Sequence, residues 1–151
     1  MSKIDISRVP ERVGCGYPAP FAECAAARLK KALGRAGGLS DFGVNITQLP
    51  PGAWSSQRHW HSDEDEFVYV LSGELTLVTD AGEQKLSAHE CAAFPKNRRD
   101  GHHLVNHSSE MASYLEVGSR STRDQCHYPD IDLHKDAAMD GYTHKDGAPY
   151  A

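Results

Sequence analysis

Between residues 42 and 118, apolar and polar residues alternate over short stretches, as they do in half-buried β-strands. The first such stretch runs from Phe42 to Thr47. Further strand-like runs follow, separated by turns rich in Gly, Asp, Asn and Ser: 66–71, 74–79, 84–86, 91–94, 102–106 and 111–117. Because many short strands follow one another without a helix-length segment, the pattern predicts an all-β fold, an antiparallel sandwich or jelly-roll β-barrel.

The flanks of this region have a different composition. Residues 1–20 contain several Pro and Gly residues, and residues 21–33 are rich in alanine, so we expect an irregular arm followed by a short helix with Gly34 near its end. Residues 119–151 are mainly polar with isolated aromatic and aliphatic residues, which indicates an irregular tail that is ordered, with a disordered tail as the alternative. The predicted organisation is an N-terminal arm over 1–40, a barrel over 41–118 and a tail over 119–151 packed on the barrel.

Length, charge and cysteine content restrict the class of protein. The 151 residues suit one domain, and no apolar run approaches the roughly 20 residues of a membrane span. A net charge of −5 argues against general nucleic-acid binding. The start lacks the apolar segment of a secretory signal, and the four cysteines form no CxxC motif. We therefore expect a cytoplasmic protein with free thiols and with no nucleic-acid or membrane partner.

The nine histidines are unevenly placed, and two of them flank Trp60. In a strand, residues i and i+2 point to the same face, so His59 and His61 would project together. A carboxylate-rich turn follows, and Glu66 opens the next strand-like run. If the hairpin brings Glu66 opposite His61, two nitrogens and one carboxylate oxygen meet, which suits a divalent metal.

The carboxylate ligand could be Glu66 or its neighbour Asp65. Alternation places Glu66 on the face of Val68 and Val70, whereas Asp65 would share a face with Phe67. A slip of one residue would exchange the two faces. We predict that Glu66 is the ligand and that Asp65 lies at the solvated start of the strand.

A further histidine could close the same cluster from a facing strand. His102 shares a face with Leu104 and Asn106, whereas His103 points away from it and is expected to be structural or at the surface. Three imidazoles and one carboxylate would leave coordination positions open for water or substrate, as in catalytic metal sites. The alternative is a solvated acidic loop beside incidental histidines.

These residues resemble two motifs of the cupin superfamily. Gly52, His59-x-His61, Glu66 and Gly73 are similar to the first motif, and Pro95 with His102-x-x-x-Asn106 is similar to the second; the likeness covers roughly 41–118. It implies a double-stranded β-helix barrel and a divalent metal held by His59, His61, Glu66 and His102. The metal would be Fe, Mn, Ni, Co or Zn, without a choice among them.

The sequence departs from this pattern at two glycine positions of the second motif. His89 and Asn97 stand where the family has glycine, and the loop before His102 is two residues longer than usual. Asn97 can still adopt a positive φ. The flanks, from Gly37-Gly38-Leu39 to Tyr128-Pro129-Asp130, are similar to a bacterial subfamily of small single-domain cupins, mostly described as conserved barrels of unknown activity.

Several basic residues lie near the motifs in sequence. Arg58, Arg98 and Arg99 could attract an anionic substrate at the barrel mouth, or they could be solvated surface charges. The function that we expect is a metal-dependent enzyme acting on a small oxygen-bearing metabolite, by dioxygenation, isomerisation, lyase chemistry or hydrolysis. The alternative is a non-catalytic cupin that binds or senses a small ligand. Cupins are commonly dimeric, and exposed sheet edges favour a homodimer here as well.

Overall fold

The computed structural model describes residues 3–150 and contains twelve β-strands and one short α-helix within that range. The strands are β1 (Glu11–Val13), β2 (Leu29–Ala32), β3 (Phe42–Leu49), β4 (Trp60–His61), β5 (Glu66–Ser72), β6 (Glu74–Thr79), β7 (Gly82–Ser87), β8 (Cys91–Phe94), β9 (His103–Val105), β10 (Ala112–Ser119), β11 (Gln125–His127) and β12 (His134–Asp136). The helix α1 spans Leu33–Ala36, and two 3₁₀ turns cover Ile6–Arg8 and Glu23–Ala25.

Two walls of antiparallel strands face each other. One wall is a six-stranded sheet in the order β1-β2-β3-β10-β5-β8. The other consists of the triplets β7-β6-β9 and β12-β11-β4. Isolated bridges join Trp54 to Val105 and His59 to His102, and so connect the segment before β4 with β9. The predicted antiparallel jelly-roll barrel is confirmed by this arrangement.

The N-terminal segment differs from the expectation of an arm and a helix. Over 21–33 the chain forms a 3₁₀ turn and then β2, and α1 begins only at Leu33. Strand β2 pairs with β3 from Leu29 to Ala32, and β1 pairs with β2. The predicted helix is therefore wrong over most of its length, because strand pairing within the sheet overrides the weak helix propensity of alanine.

The tail is ordered and contains two short strands. β11 pairs on one side with β4 and on the other with β12, so this segment extends the second wall. Cys126, Tyr128 and Leu133 form a buried cluster against which Tyr17 and Phe21 of the N-terminal segment pack. In residues 3–150, no helix is long and apolar enough to cross a membrane.

Inside the barrel, one end is filled with aliphatic side chains. Leu49, Val70 and Leu75 are completely buried there, together with Ala112 and Tyr114. The same strands carry polar residues or glycine at their inward positions nearer the other end, where the candidate site lies.

Candidate functional site

The site forms between the two walls of the barrel. His59 and His102 are held side by side, because the amide of each donates a hydrogen bond to the carbonyl of the other, at 3.2 and 2.9 Å. His61 lies on β4, and Glu66 reaches across from the first residue of β5 in the opposite wall. Four side chains far apart in sequence are thus brought to one point.

One carboxylate oxygen lies at the centre of this group. Oε2 of Glu66 is 2.8 Å from Nε2 of His102, 3.4 Å from Nε2 of His59 and 3.5 Å from Nε2 of His61. All four predicted ligands therefore meet. Asp65 is exposed and accepts a hydrogen bond from the amide of Lys96 at 2.8 Å, away from the cluster.

The register of β5 agrees with the predicted alternation. Glu66 lies on the face of Val68 and Val70, which are 7% and 0% exposed, whereas Phe67 is 38% exposed. Glu66 is opposite Gly118 of β10, where the absence of a side chain leaves room beside the carboxylate. The assignment of Glu66 rather than Asp65 to the inner face is therefore correct.

Hydrogen bonds at Nδ1 direct the Nε2 atoms toward the centre. Nδ1 of His59 donates to the carbonyl of Gln57 at 2.9 Å, and Nδ1 of His61 donates to Oδ2 of Asp124 at 2.6 Å. Such contacts select the tautomer with a free Nε2 lone pair and fix the ring orientation. The ring of His102 is instead held by stacking on Phe94, with centroids 3.6 Å apart.

The charges of the cluster support one another. Burial opposes ionisation of Glu66, but the contacts with His102, His59 and His61 outweigh it and hold the pKa of Glu66 well below its ordinary value. Burial lowers the pKa of His102. For His61, burial acts in the same direction, but the hydrogen bond to Asp124 and the charge of Glu66 raise its pKa overall. An ionised carboxylate thus faces three imidazoles.

This donor set fits a divalent metal ion. Three imidazole nitrogens lie within 3.5 Å of one carboxylate oxygen, and the outer nitrogens of two rings are already engaged in hydrogen bonds of the kind that orient metal ligands. His59, Glu66 and His102 offer ligand atoms within 4.8 Å of one another. The residues that would hold the ion are His59, His61, Glu66 and His102.

Three further chemical groups adjoin the cluster. Asp124 and Glu64 form a compact group with His61, and Cys126 forms another with His59 and His61. Oε1 of Glu64 accepts a hydrogen bond from the amide of Ser121 at 2.8 Å, and burial raises the pKa of Glu64. Glu64 precedes Glu66 by two residues, so alternation could have placed it on the same face. Asp124 and Cys126 lie in the tail, where no sequence signal connected them to the histidines.

Two cavities meet at the cluster. The first, of about 390 Å³, is bordered by the histidines and by the inward faces of β2, β3 and β10. The second, of about 400 Å³, lies toward β6 and β8. His61, Glu64, Glu66 and His102 border both cavities, so a small molecule in either one would contact the cluster.

The basic residues singled out in the sequence have different positions. Arg58 forms ion pairs with Asp80 and Asp130, the latter at 2.7 Å, and is not among the residues lining either cavity. Arg99 lies over the ring of Trp60, and only Arg98 borders a cavity, the second one. Arg58 is therefore not free to bind a substrate, because Asp130 of the tail pairs with it.

The second motif also shows how its departures are accommodated. His89 and Asn97 stand where the family has glycine, and both adopt the positive φ that favours glycine, 73° and 59°. His103 is only 6% exposed and Nδ1 donates to the carbonyl of Ser56, which makes it a buried structural residue rather than a surface one.

Known proteins resemble this chain in sequence and in structure. The family described as the cupin domain matches residues 45–118. A crystal structure of a sugar phosphate isomerase from a cupin superfamily, from Silicibacter pomeroyi, is 41% identical, with a TM-score of 0.93, over 99% of this chain and 97% of that one. A protein from Acidithiobacillus ferrooxidans, provisionally named a sugar phosphate isomerase, is 29% identical, with a TM-score of 0.73, over 83% of this chain and 81% of that one.

A curated relative matches over a shorter segment. An endoribonuclease YbeY from Myxococcus xanthus is 32% identical over 72 residues, which are 48% of this chain and 24% of that protein. The chain therefore spans about a quarter of this relative, and nothing about ribonuclease activity follows. The barrel, the two histidine motifs and the full-length similarity to a cupin of known structure lead to one conclusion: the chain belongs to the cupin superfamily.

Proposed function

We propose that this protein is a metal-dependent isomerase that interconverts the aldose and ketose forms of a phosphorylated sugar. One observation carries the proposal: the candidate metal ligands border a polar cavity that is also lined by Glu64, a candidate acid–base group, and by Arg120, a basic residue. The ligands are His59, His61, Glu66 and His102. The relative that is 41% identical over almost the whole chain and is described as a sugar phosphate isomerase supports the same class of reaction.

The reaction requires the movement of protons only. A C–H bond beside the carbonyl breaks, the proton is returned at the former carbonyl carbon, and a hydroxyl proton passes between the two oxygens, so nothing is oxidised overall. A bound divalent ion would polarise the carbonyl and the neighbouring hydroxyl and so favour loss of the proton. The chain itself must supply a group that accepts and returns the proton.

Glu64 is suited to this role by its position. It borders both cavities and belongs to the compact group with His61 and Asp124. Oε1 accepts a hydrogen bond from the amide of Ser121, which holds the carboxylate in place, and within residues 3–150 Oε2 accepts none. Glu64 would take the proton from the carbon beside the carbonyl and return it to the neighbouring carbon.

Arg120 is suited to binding the phosphate. It borders the first cavity, is exposed, and among residues 3–150 it forms no ion pair. Its guanidinium lies over Gly43, where a Cβ atom would be only 2.9 Å from Nη2. A glycine at this point allows the guanidinium to lie against the wall of the cavity, where it can bind phosphate through paired hydrogen bonds.

The test uses protein made without a histidine tag, analysed for its metal content and incubated with a panel of sugar phosphates in D₂O. We expect deuterium at the carbon beside the carbonyl and formation of the isomer, both followed by NMR. Binding of sugar phosphates without exchange or isomer formation would contradict the proposal and favour the alternative of a ligand-binding cupin.

We also propose that the protein assembles as a homodimer. Two-fold association would cover the exposed edges of the six-stranded sheet, and light scattering at micromolar concentration should then give the mass of a homodimer. A monomer mass would refute this part of the proposal without affecting the isomerase.

A further inference from the structure

Three polar residues on neighbouring strands line the wall of the first cavity. Lys30 on β2 forms an ion pair with Oε1 of Glu116 on β10, and Nδ2 of Asn45 on β3 donates to the same oxygen at 2.8 Å. Asn45 and Glu116 are direct partners in the pairing of β3 with β10. We call Lys30, Asn45 and Glu116 the wall triad; all three border the cavity that the candidate metal ligands also line.

A purely structural role does not account for the wall triad. The side chains of Lys30 and Glu116 are each 25% exposed, and part of this exposed surface lines the cavity. Because removing charges from water is costly, a partly buried ion pair adds little to stability in comparison with apolar residues of the same size. The interior positions further along β3 and β10, at Leu49 and Ala112, show that this barrel does pack apolar side chains where nothing else is required.

The wall triad has hydrogen-bonding capacity left over. Both of its internal contacts use Oε1 of Glu116, and no hydrogen bond to Oε2 is found within residues 3–150. The ammonium of Lys30 has three donors and the amide of Asn45 has two, more than these contacts use. A carboxylate oxygen beside such donors binds hydroxyl groups, which both donate and accept, better than it binds an anion, which the carboxylate repels.

The distance between the wall triad and the candidate metal ligands indicates how long a ligand must be to contact both. Gly118 is the partner of Glu66, and Glu116 lies two positions further along the same face of β10, roughly 7 Å away. Gly43 is the partner of Gly118 on the next strand; a Cβ at Gly43 would lie 2.9 Å from Nη2 of Arg120 and one at Gly118 would lie 3.7 Å from Cγ of Glu66, so the two glycines make room for these two side chains. A carbon chain bound between the cluster and Arg120 would direct its hydroxyl groups toward the wall triad.

We propose that Lys30, Asn45 and Glu116 form a binding site for the non-reacting hydroxyl groups of a polyhydroxylated substrate, and that they thereby select such substrates over other phosphorylated compounds. The identity of the substrate as a sugar phosphate rests on the proposed function. The subsite is a specificity determinant and takes no part in the proton transfer.

Two probes of equal chain length test this proposal. Sorbitol 6-phosphate carries the hydroxyl groups and the phosphate but has no carbonyl, and hexyl phosphate carries the phosphate alone. We expect the metal-loaded protein to bind sorbitol 6-phosphate more tightly in calorimetric titrations. Glu116→Gln and Lys30→Met should each weaken that binding about tenfold or more, because hydrogen bonds to charged groups are lost, and should leave hexyl phosphate binding unchanged.

Lys31→Met is the matched control. Lys31 lies on the same strand as Lys30, and its ammonium contacts the carbonyl of Ile6 rather than the cavity. Should Lys30→Met or Glu116→Gln perturb folding, Asn45→Ser provides a variant that keeps the ion pair, and it should also weaken binding of the polyol phosphate selectively. Equal affinity of the unaltered protein for the two probes, or an unchanged preference in all three variants, would overturn the proposal.

This result is independent of catalysis, because sorbitol 6-phosphate cannot be isomerised. If no sugar phosphate is converted but the preference for the polyol phosphate depends on the wall triad, the isomerase proposal fails and the subsite stands. If sugar phosphates are converted and the three variants leave both KM and the preference unchanged, the subsite is refuted and the isomerase stands.

Discussion

The two ends of the barrel interior are built from the same strands but have opposite character. On β5 the inward positions change from Val70 at one end to Glu66 at the other, and on β10 they change from Ala112 to Gly118. On the adjoining strand β3 the inward positions change from Gly43 and Asn45 at the polar end to the fully buried Leu49 at the apolar end. A few residues along one strand thus separate the apolar core from the candidate metal site.

This difference predicts that substitutions at the two ends change the stability and the activity of the protein separately. Burial of aliphatic side chains contributes most at one end, because each removes apolar surface from water. At the other end, four metal-ligand candidates and several charged groups are kept in place by that packing. Substitutions at the apolar end should alter unfolding without altering metal content, and substitutions at the polar end should alter metal content or turnover without altering unfolding.

The largest effect at the polar end is expected for Glu64→Gln. Removing the proposed proton acceptor should lower sugar phosphate turnover by about 10²–10⁴-fold, the range typical of general acid–base groups. Metal content, measured by elemental analysis, and the melting temperature should change little. Glu83→Gln, at an exposed position of β7, is the control and should retain full activity. Equal turnover by both variants would exclude Glu64 as the acid–base group.

At the apolar end, Leu75→Ala should lower the free energy of unfolding by about 2–5 kcal/mol, because it leaves a cavity among packed side chains. Leu75 is 0% exposed, whereas Leu71, at 39%, provides the matched control, for which a much smaller change is expected. Urea titration measures both values. If Leu75→Ala instead removed the metal from folded protein, the separation of the two ends would be wrong.

Glu66→Ala and Asp65→Ala compare neighbouring carboxylates. We expect Glu66→Ala to weaken metal binding about tenfold or more, since even groups that only orient the ligands commonly contribute 10–100-fold. Asp65→Ala removes the acceptor for the Lys96 amide and should leave metal affinity nearly unchanged. Competition with a chelator of known affinity measures both. Metal loss in the Asp65 variant alone would show that the carboxylate ligand has been misassigned.

The smallest effect is expected for Arg58→Ala. Its partners Asp80 and Asp130 are 58% and 55% exposed, so each ion pair should contribute about 1 kcal/mol or less. The variant should unfold at slightly lower denaturant concentration and retain its KM for a sugar phosphate. Arg120→Ala should instead raise KM without changing stability. A raised KM in the Arg58 variant would restore this residue as a substrate contact.

The sequence was sufficient to predict the barrel and the ligand cluster because both depend on short-range alternation. The i, i+2 relation of His59 and His61 and the inward position of Glu66 follow from strand geometry once the strands are located. The bounds of β6 and β8 agree with the predicted runs for the same reason.

Features that depend on long-range pairing could not be predicted in this way. Strand β2 forms because Leu29–Ala32 pairs with β3, although the local composition favours a helix. Cys91 lies in an apolar run and yet is exposed, whereas Cys126 of the polar tail is buried. Asp124 reaches His61 only because β11 pairs with β4, a contact between residues more than 60 positions apart.

The positions of the two tryptophans have a practical consequence for spectroscopy. Trp60 lies between the ligand candidates His59 and His61 and stacks on His127 with centroids 4.1 Å apart, and Trp54 packs edge-to-face on His103, the neighbour of His102. Because the chain has no other tryptophan, all of its indole emission originates beside the candidate metal cluster. Quenching of that emission by a paramagnetic ion such as Co²⁺ or Mn²⁺ would therefore give an optical titration of the site without any added label.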